Sequence, residues 1–369
     1  MNHRWTLALR IVGVVAGGAI IASLVGGSER IRREAVILVE DASSLNTALR
    51  RAQGGDAILL KPGVYSGVEV NRLSFDKPVT IRSESPAARA TLTNFWVRNS
   101  KGLSFEDLEF EAQGPDYVSF QVIDSEVVSF KNIEVHGSLD GNTGNDGQGL
   151  GVLRSKDVQV TGSEFHQLHR ALSMSQSENL LIAESKFHDL RTTGFVGAEL
   201  TNVEILRNNF SNFSPVPNDH PDAIQFLTSG TKQVTRNITV QGNLISRGTG
   251  EPSQGIFFKD EVGTLPYEDV KIRDNLVLGT GYGGIYVIGA RNLVATGNQL
   301  FSNPDKVNRT WVIFQNVDRA EVTDNQAISI TFDNVTNLVQ ARNRLNQPVN
   351  DGGAAALKAW PGAAAVRGH

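Results

Sequence analysis

Asn218–Phe226 reads NDHPDAIQF, and it places Asp219, His220 and Asp222 directly ahead of an apolar alternation. A histidine flanked by carboxylates is suited to moving a proton, because its unperturbed pKa lies near neutrality and a carboxylate can orient the ring. Pro221 follows His220 and narrows that residue's backbone freedom, which helps to hold the ring in place. Further along, Lys259 in FFKDE and Tyr286 in GIYVI offer a second set of proton-transfer groups. Arg170 supplies a fixed cation suited to an oxyanion. Each has a plainer reading as a turn cap, a surface ion pair or a packing residue. What favours chemistry is that they recur at corresponding places in a repeat.

The repeat runs through most of the chain. VVSFKNIE (127–134), VQVTGSEF (158–165), LLIAESKF (180–187), VEILRNNF (203–210), ITVQGNLI (238–245), VKIRDNLV (270–277), LVATGNQL (293–300), AEVTDNQA (320–327) and LVQARNRL (338–345) share one pattern. Apolar and polar residues alternate, and the sixth place holds a short polar residue: Asn132, Ser163, Ser185, Asn208, Asn243, Asn275, Asn298, Asn325 and Asn343. With Asp107 of GLSFEDLE (102–109) as a further member, most spacings are 22–27 residues, stretching to 35 and 32 around Asn208–Asn243–Asn275. A second short strand precedes many of these blocks, as in ALSMS (171–175), AIQFL (223–227) and GIFFK (255–259). Period-two strands at a fixed repeat, with no helical pattern between them, predict a solenoid of about ten coils of parallel strands. Asn suits its corners, since it tolerates left-handed backbone and its amide can bond the amide one coil away.

Such a solenoid gathers distant residues into columns. The outward positions of the second strand are expected to align Glu199, Gln225, Phe257 and Tyr286, with Arg170, Asp222 and Gln254 at the corner before it and Lys259 just beyond. With a rise of ~4.8 Å per coil, Arg170, Glu199, Asp222, Gln225, Lys259 and Tyr286 would share one face within about 15–20 Å. The two enlarged repeats add loops there, and Asp219 and His220 sit on the first. The expected catalytic set is His220, Lys259, Asp222, Arg170 and Tyr286. The expected binding set is Gln225, Glu199, Asp219, Phe257 and Gln254. If a Ca²⁺ ion takes part, Asp222 and Glu199 are its expected ligands; no other cofactor is implied.

Composition fits this picture. The 369 residues include 36 Gly and only 7% aromatics, which favours turn-rich β structure. Net charge is −4, with pI near 6.0, so nucleic acid is not an expected partner. There is no cysteine, which excludes disulfides and thiol chemistry. Arg4 and Arg10 precede the uncharged run Ile11–Gly27, which reads as an export signal or, if retained, a membrane anchor. Three segments are expected: 1–35 as signal or anchor, 36–346 as the solenoid, and 347–369 as a disordered tail. Leu45, Ala48, Leu49 and Ala52 line one face of a helix that would cap the first coil.

The stretch LNTALRRAQGGDAILLKPGVY, followed by KPVTIRSE and the Asn-punctuated coils, resembles the right-handed parallel β-helix proteins of the pectate-lyase type. That resemblance implies a monomer in the periplasm or outside the cell, acting on an acidic polysaccharide. NDHPD is similar to the Asp-Pro-His-Asp type of motif in β-helix mannuronan C5-epimerases and related lyases, but here Pro221 comes after His220. Carried over, His220 would transfer the proton, with Asp219 or Asp222 as its partner. Uronate β-elimination needs a group facing the C5 carboxylate, a base for the C5 proton and an acid for the leaving oxygen. The set above can supply all three, and C5 epimerisation shares the first two. A glycoside hydrolase built on the same fold, and a non-catalytic glycan-binding solenoid, remain the alternatives.

Overall fold

Buried asparagines organise the coils. Asn208 Nδ2 donates to Asn243 Oδ1 at 3.1 Å, Asn243 to Asn275 at 3.0 Å, Asn275 to Asn298 at 2.9 Å, Asn298 to Asn325 at 2.9 Å and Asn325 to Asn343 at 3.1 Å. Each of these five donor amides also gives its second hydrogen to a backbone carbonyl, as Asn243 does to Ile205 at 2.9 Å. Each accepting oxygen also receives the backbone N–H of the previous Asn. These amides are therefore satisfied at both ends despite deep burial. Ser163 and Ser185 extend the line toward the N-terminus, where Ser185 N–H meets Asn208 Oδ1 at 3.0 Å.

This is a computed structural model, and it describes residues 33–115, 118–281, 283–305 and 310–364. The segment read as an export signal or anchor lies almost wholly outside them. No helix among the described residues is long and apolar enough to cross a membrane.

Strands run from Val36–Val39 to Arg344–Leu345, and the ladders that join successive coils are parallel throughout. Each typical coil gives one strand to each of three faces; two faces join in a 21-stranded sheet and the third is 12-stranded. The first face carries Gln148–Leu153, Arg170–Ser175, Thr193–Ala198, Asp222–Leu227 and Gln254–Lys259 in register, followed by the start of Ile285–Thr296. Inward residues form aromatic stacks such as Phe165–Phe187–Phe210, with centroids 5.0 and 4.7 Å apart. Each fully buried Phe removes enough apolar surface for roughly 1.5–3 kcal/mol.

The helix Ala42–Arg51 forms at the N-terminal end as expected, with Asp41 and Ser44 in a reciprocal capping box and Leu45, Ala48 and Leu49 buried. The far end differs from expectation. Within residues 346–364 the chain folds back over the outside of the third face instead of trailing into solvent. Trp360, 3% exposed, packs on Leu244, Leu276 and Leu278, and its Nε1 donates to the Asp274 carbonyl at 3.0 Å. Among the biased Ala and Gly residues, one indole with an apolar partner surface is enough to dock the segment. The last coil, Ile330–Ala341, leaves Ile330, Phe332, Val335 and Leu338 only half-buried.

Candidate active site

First-face strands point residues one, four and six outward. In Arg170–Ser175 these are half-exposed. In Asp222–Leu227 and Gln254–Lys259 the first and fourth positions are buried, and the His220 side chain lies against Asp222, Gln254 and Phe257 among them. Asp222 is 0% exposed, Gln225 8%, Gln254 9% and Phe257 7%. A carboxylate and two amides are thus held out of water on the outer surface of the solenoid.

His220 stands on the loop edge above them, with its side chain 57% exposed. Its Nδ1 lies 2.9 Å from Asp222 Oδ2, which also accepts from Gln225 Nε2 at 2.6 Å. Its Nε2 lies 3.0 Å from Gln254 Nε2. The network assigns a proton to Nδ1 and a lone pair to Nε2, which takes the Gln254 hydrogen. Hydrogen bonding to Asp222 raises the histidine's pKa, against burial and the charge of Lys259. Burial raises that of Asp222, while His220 and Arg170 pull it down. The loop itself is tied by Asp219, whose carboxylate forms a two-pronged ion pair with Arg191 at 2.8 and 3.1 Å and accepts the Val216 N–H. Asp219 was expected to meet substrate; the structure uses it to fix His220's loop.

Four buried polar atoms around this point have no hydrogen-bond partner within the protein: Asp222 Oδ1, Gln254 Oε1, Arg170 Nε and His169 Nδ1. Arg170 lies two coils from Asp222 in the same column, with Thr193 between. Burial lowers the Arg170 pKa and Asp222 raises it. Leaving buried polar atoms unpaired costs about 1–3 kcal/mol each, so their partner is expected to come from outside the chain.

The other candidates divide. Phe257 supports the His220 ring at 5.6 Å and Tyr286 at 5.6 Å, and its burial removes it as a sugar platform. Tyr286 is half-exposed and donates to Gln315 Oε1 at 2.6 Å. Lys259 Nζ pairs with Glu261 at 3.3 Å and remains 43% exposed.

Glu199 is not on this face. The register aligns Ser173 with Val196 and Val196 with Gln225, and it places Thr193 beside Asp222. Glu199 instead takes left-handed backbone (φ 53°) past the end of its strand, accepting from the Lys232 and Gln233 N–H groups and from Gln176. The expected Ca²⁺ pair, Asp222 with Glu199, is therefore not assembled, and no group of three His, Asp or Glu among the described residues suits a metal. The slip has a local cause. Gly197 fills an inward position because a Cβ there would meet Phe226, Leu200 and Phe195 at 2.8–3.0 Å. An inward glycine breaks the apolar alternation that sequence reading follows. Thr193 and His169 were missed, the only signal being the adjacency of His169 to Arg170, while Arg191, read from its place near a coil end as structural, holds Asp219.

Among solved structures, the chain is similar to an alginate lyase from Paenibacillus sp. str. FPU-7 at 18% identity, covering 84% of this chain and 99% of that one with a TM-score of 0.44. It is also similar to PfbA, a surface adhesin of Streptococcus pneumoniae, at 13% identity, 83% and 88% coverage and a TM-score of 0.45. A third is the GH136 lacto-N-biosidase from Eubacterium ramulus, at 8% identity, 85% and 68% coverage and a TM-score of 0.49. No curated protein sequence matches the chain. A family model described as the right-handed β-helix region matches residues 93–230. With parallel strands on three faces and this match within them, the chain is a right-handed parallel β-helix.

Proposed function

We propose that this β-helix is an exported enzyme that removes the C5 proton of a uronate within a polysaccharide, leading to β-elimination or, by return of the proton to the other face, to epimerisation. The observation that carries the reading is the buried Asp222 carboxylate bonded to a half-exposed His220, with Arg170, whose buried Nε has no hydrogen-bond partner within the protein, two coils away in the same column. Among the structural neighbours, an alginate lyase and an alginate epimerase bear names of this class.

The roles follow from the geometry. Arg170 faces the substrate carboxylate and stabilises the negative charge that spreads onto it as C5 loses its proton. His220 Nε2 takes that proton once substrate displaces the Gln254 amide. Asp222 keeps the proton of Nδ1 in place and stabilises the resulting imidazolium. For elimination, the departing glycosidic oxygen is protonated by Tyr286, one coil beyond Phe257, or by Lys259, the next outward residue on the strand of Phe257. Arg4, Arg10 and the apolar run after them support export.

The test is a panel of acidic polysaccharides followed by absorbance of unsaturated uronate and by new reducing ends. Both signals together are expected for elimination. Proton exchange at C5 without either is expected for epimerisation. Reducing ends without the chromophore or C5 exchange would indicate hydrolysis and overturn the proposal.

A further inference from the structure

The outward columns of the first face also bear on how charge is spaced along the polymer. From the strand Val118–Ile123 to the strand Ile330–Ala341, the described outward residues include two basic side chains, Arg170 and Lys259. Lys259 is already paired with Glu261. The coil rise is ~4.8 Å, comparable to the advance of one pyranose in an extended chain. A polymer with a carboxylate on every sugar would therefore set one over almost every coil. Most of the other coils offer Gly151, Val196, Tyr286 or Ile313, none of which neutralises an anion. Placing a carboxylate there costs hydration without return.

The two sides of the dyad differ in aromatic content. Toward the N-terminus, as far as Val118–Ile123, the outward residues include Gln148, Arg170, Ser173 and Ser175 interspersed with Gly151, Leu153, Val196 and Ala198, with no aromatic ring among them. Toward the C-terminus lie Tyr286, Ile288, Ile313 and Gln315, all half-buried, and Tyr286 presents an aromatic face. An aromatic face carries negative potential and repels a carboxylate, while it accepts the C–H surface of an uncharged sugar.

Resting on the proposed function above, we infer that the substrate is a heteropolysaccharide with sparse carboxylates. Its uronate sits at Arg170 and His220, and an uncharged neighbouring sugar lies on Tyr286. Polymers acidic at every residue are then poor ligands despite their higher charge.

The experiment is affinity electrophoresis of His220→Gln, which binds without turnover, through gels containing one of three probes. These are deacylated gellan, in which glucuronate is separated by neutral sugars, polymannuronate and neutral dextran. Retention by gellan is expected to exceed that by polymannuronate at least about tenfold at equal salt, and Tyr286→Ala on this background is expected to remove most of the difference. Equal or stronger retention by polymannuronate, or none by gellan, overturns the inference. Wild-type C5 exchange on polymannuronate would then show that the proton-transfer reading survives without it. Dextran retention matching gellan, unchanged by Arg170→Gln, would overturn both.

Discussion

Two histidine–carboxylate arrangements occupy different faces of this solenoid. On the third face, His136, His166 and His188 stack at 5.6 and 5.1 Å, and each bonds the glutamate of the preceding coil: Glu109, Glu134 and Glu164. His136 also meets the Gly137 carbonyl, and His188 also meets Asp189. On the first face, His220 stands alone on a loop, backed by one fully buried aspartate. The groups are alike, but their surroundings are not. Both nitrogens of His136 and of His188 have protein partners, as do both of His220. Around the dyad, Asp222 Oδ1 and Arg170 Nε are buried and unspent. A fully buried carboxylate behind an exposed ring, the reverse of the ladder's more buried rings on more exposed glutamates, and not the mere pairing of histidine with carboxylate, separates the candidate site from a structural ladder.

If that distinction holds, His220→Ala lowers turnover by about 10²–10⁴-fold while thermal unfolding stays near wild type. Turnover close to wild type would erase the contrast. Arg170→Gln keeps an amide but loses the charge facing the substrate carboxylate. It is expected to reduce kcat/KM by about 10²–10³-fold, measured under the same conditions.

Asp222→Asn sharpens the comparison through pH. His220 must be neutral to act as base, and its pKa is raised by Asp222. Activity should therefore rise with pH through a limb above histidine's ordinary value of about 6.5. Without the carboxylate, that limb should move to lower pH even as the maximum rate falls. A limb that stays in place in the variant would assign it to another group.

The smallest effect belongs to the ladder. The hydrogen bond from His188 lowers Glu164 to about 2. Because its folded pKa lies below the unfolded one, its stabilisation is present above the unfolded value and is lost as pH falls toward about 2. Glu164 is substantially exposed, so Glu164→Gln should cost under about 1 kcal/mol near neutral pH and nothing in strong acid, with turnover unchanged. A large loss of activity would place the ladder in the reaction.

The residues that repeat were the ones the sequence displayed. Asn208 through Asn343 announced the stacked amides, and Ile224 with Phe226 announced the inward side of their strand. Asp222, Gln225 and Gln254 could be placed near His220 because the columns are periodic. Three things escaped. Gly197 occupies an inward place for steric reasons, which shifted the register of its coil and misplaced Glu199. Asp219 looked like a binding group because its partner, Arg191, is 28 residues away in sequence. Trp360 lies in a stretch whose composition suggests disorder, and its docking surface exists only once two successive coils bring Leu244 beside Leu276 and Leu278.

The central claim is that His220 Nε2 removes the C5 proton of a uronate. Its most direct test follows the C5 position by NMR in D₂O, on a uronate polymer that the enzyme turns over, with wild type and His220→Gln side by side. The account predicts loss of the C5 proton signal with wild type, by exchange or by formation of the unsaturated sugar, and its retention with the variant. Chain cleavage by wild type with the C5 proton intact, or undiminished loss of that proton with the variant, would contradict it.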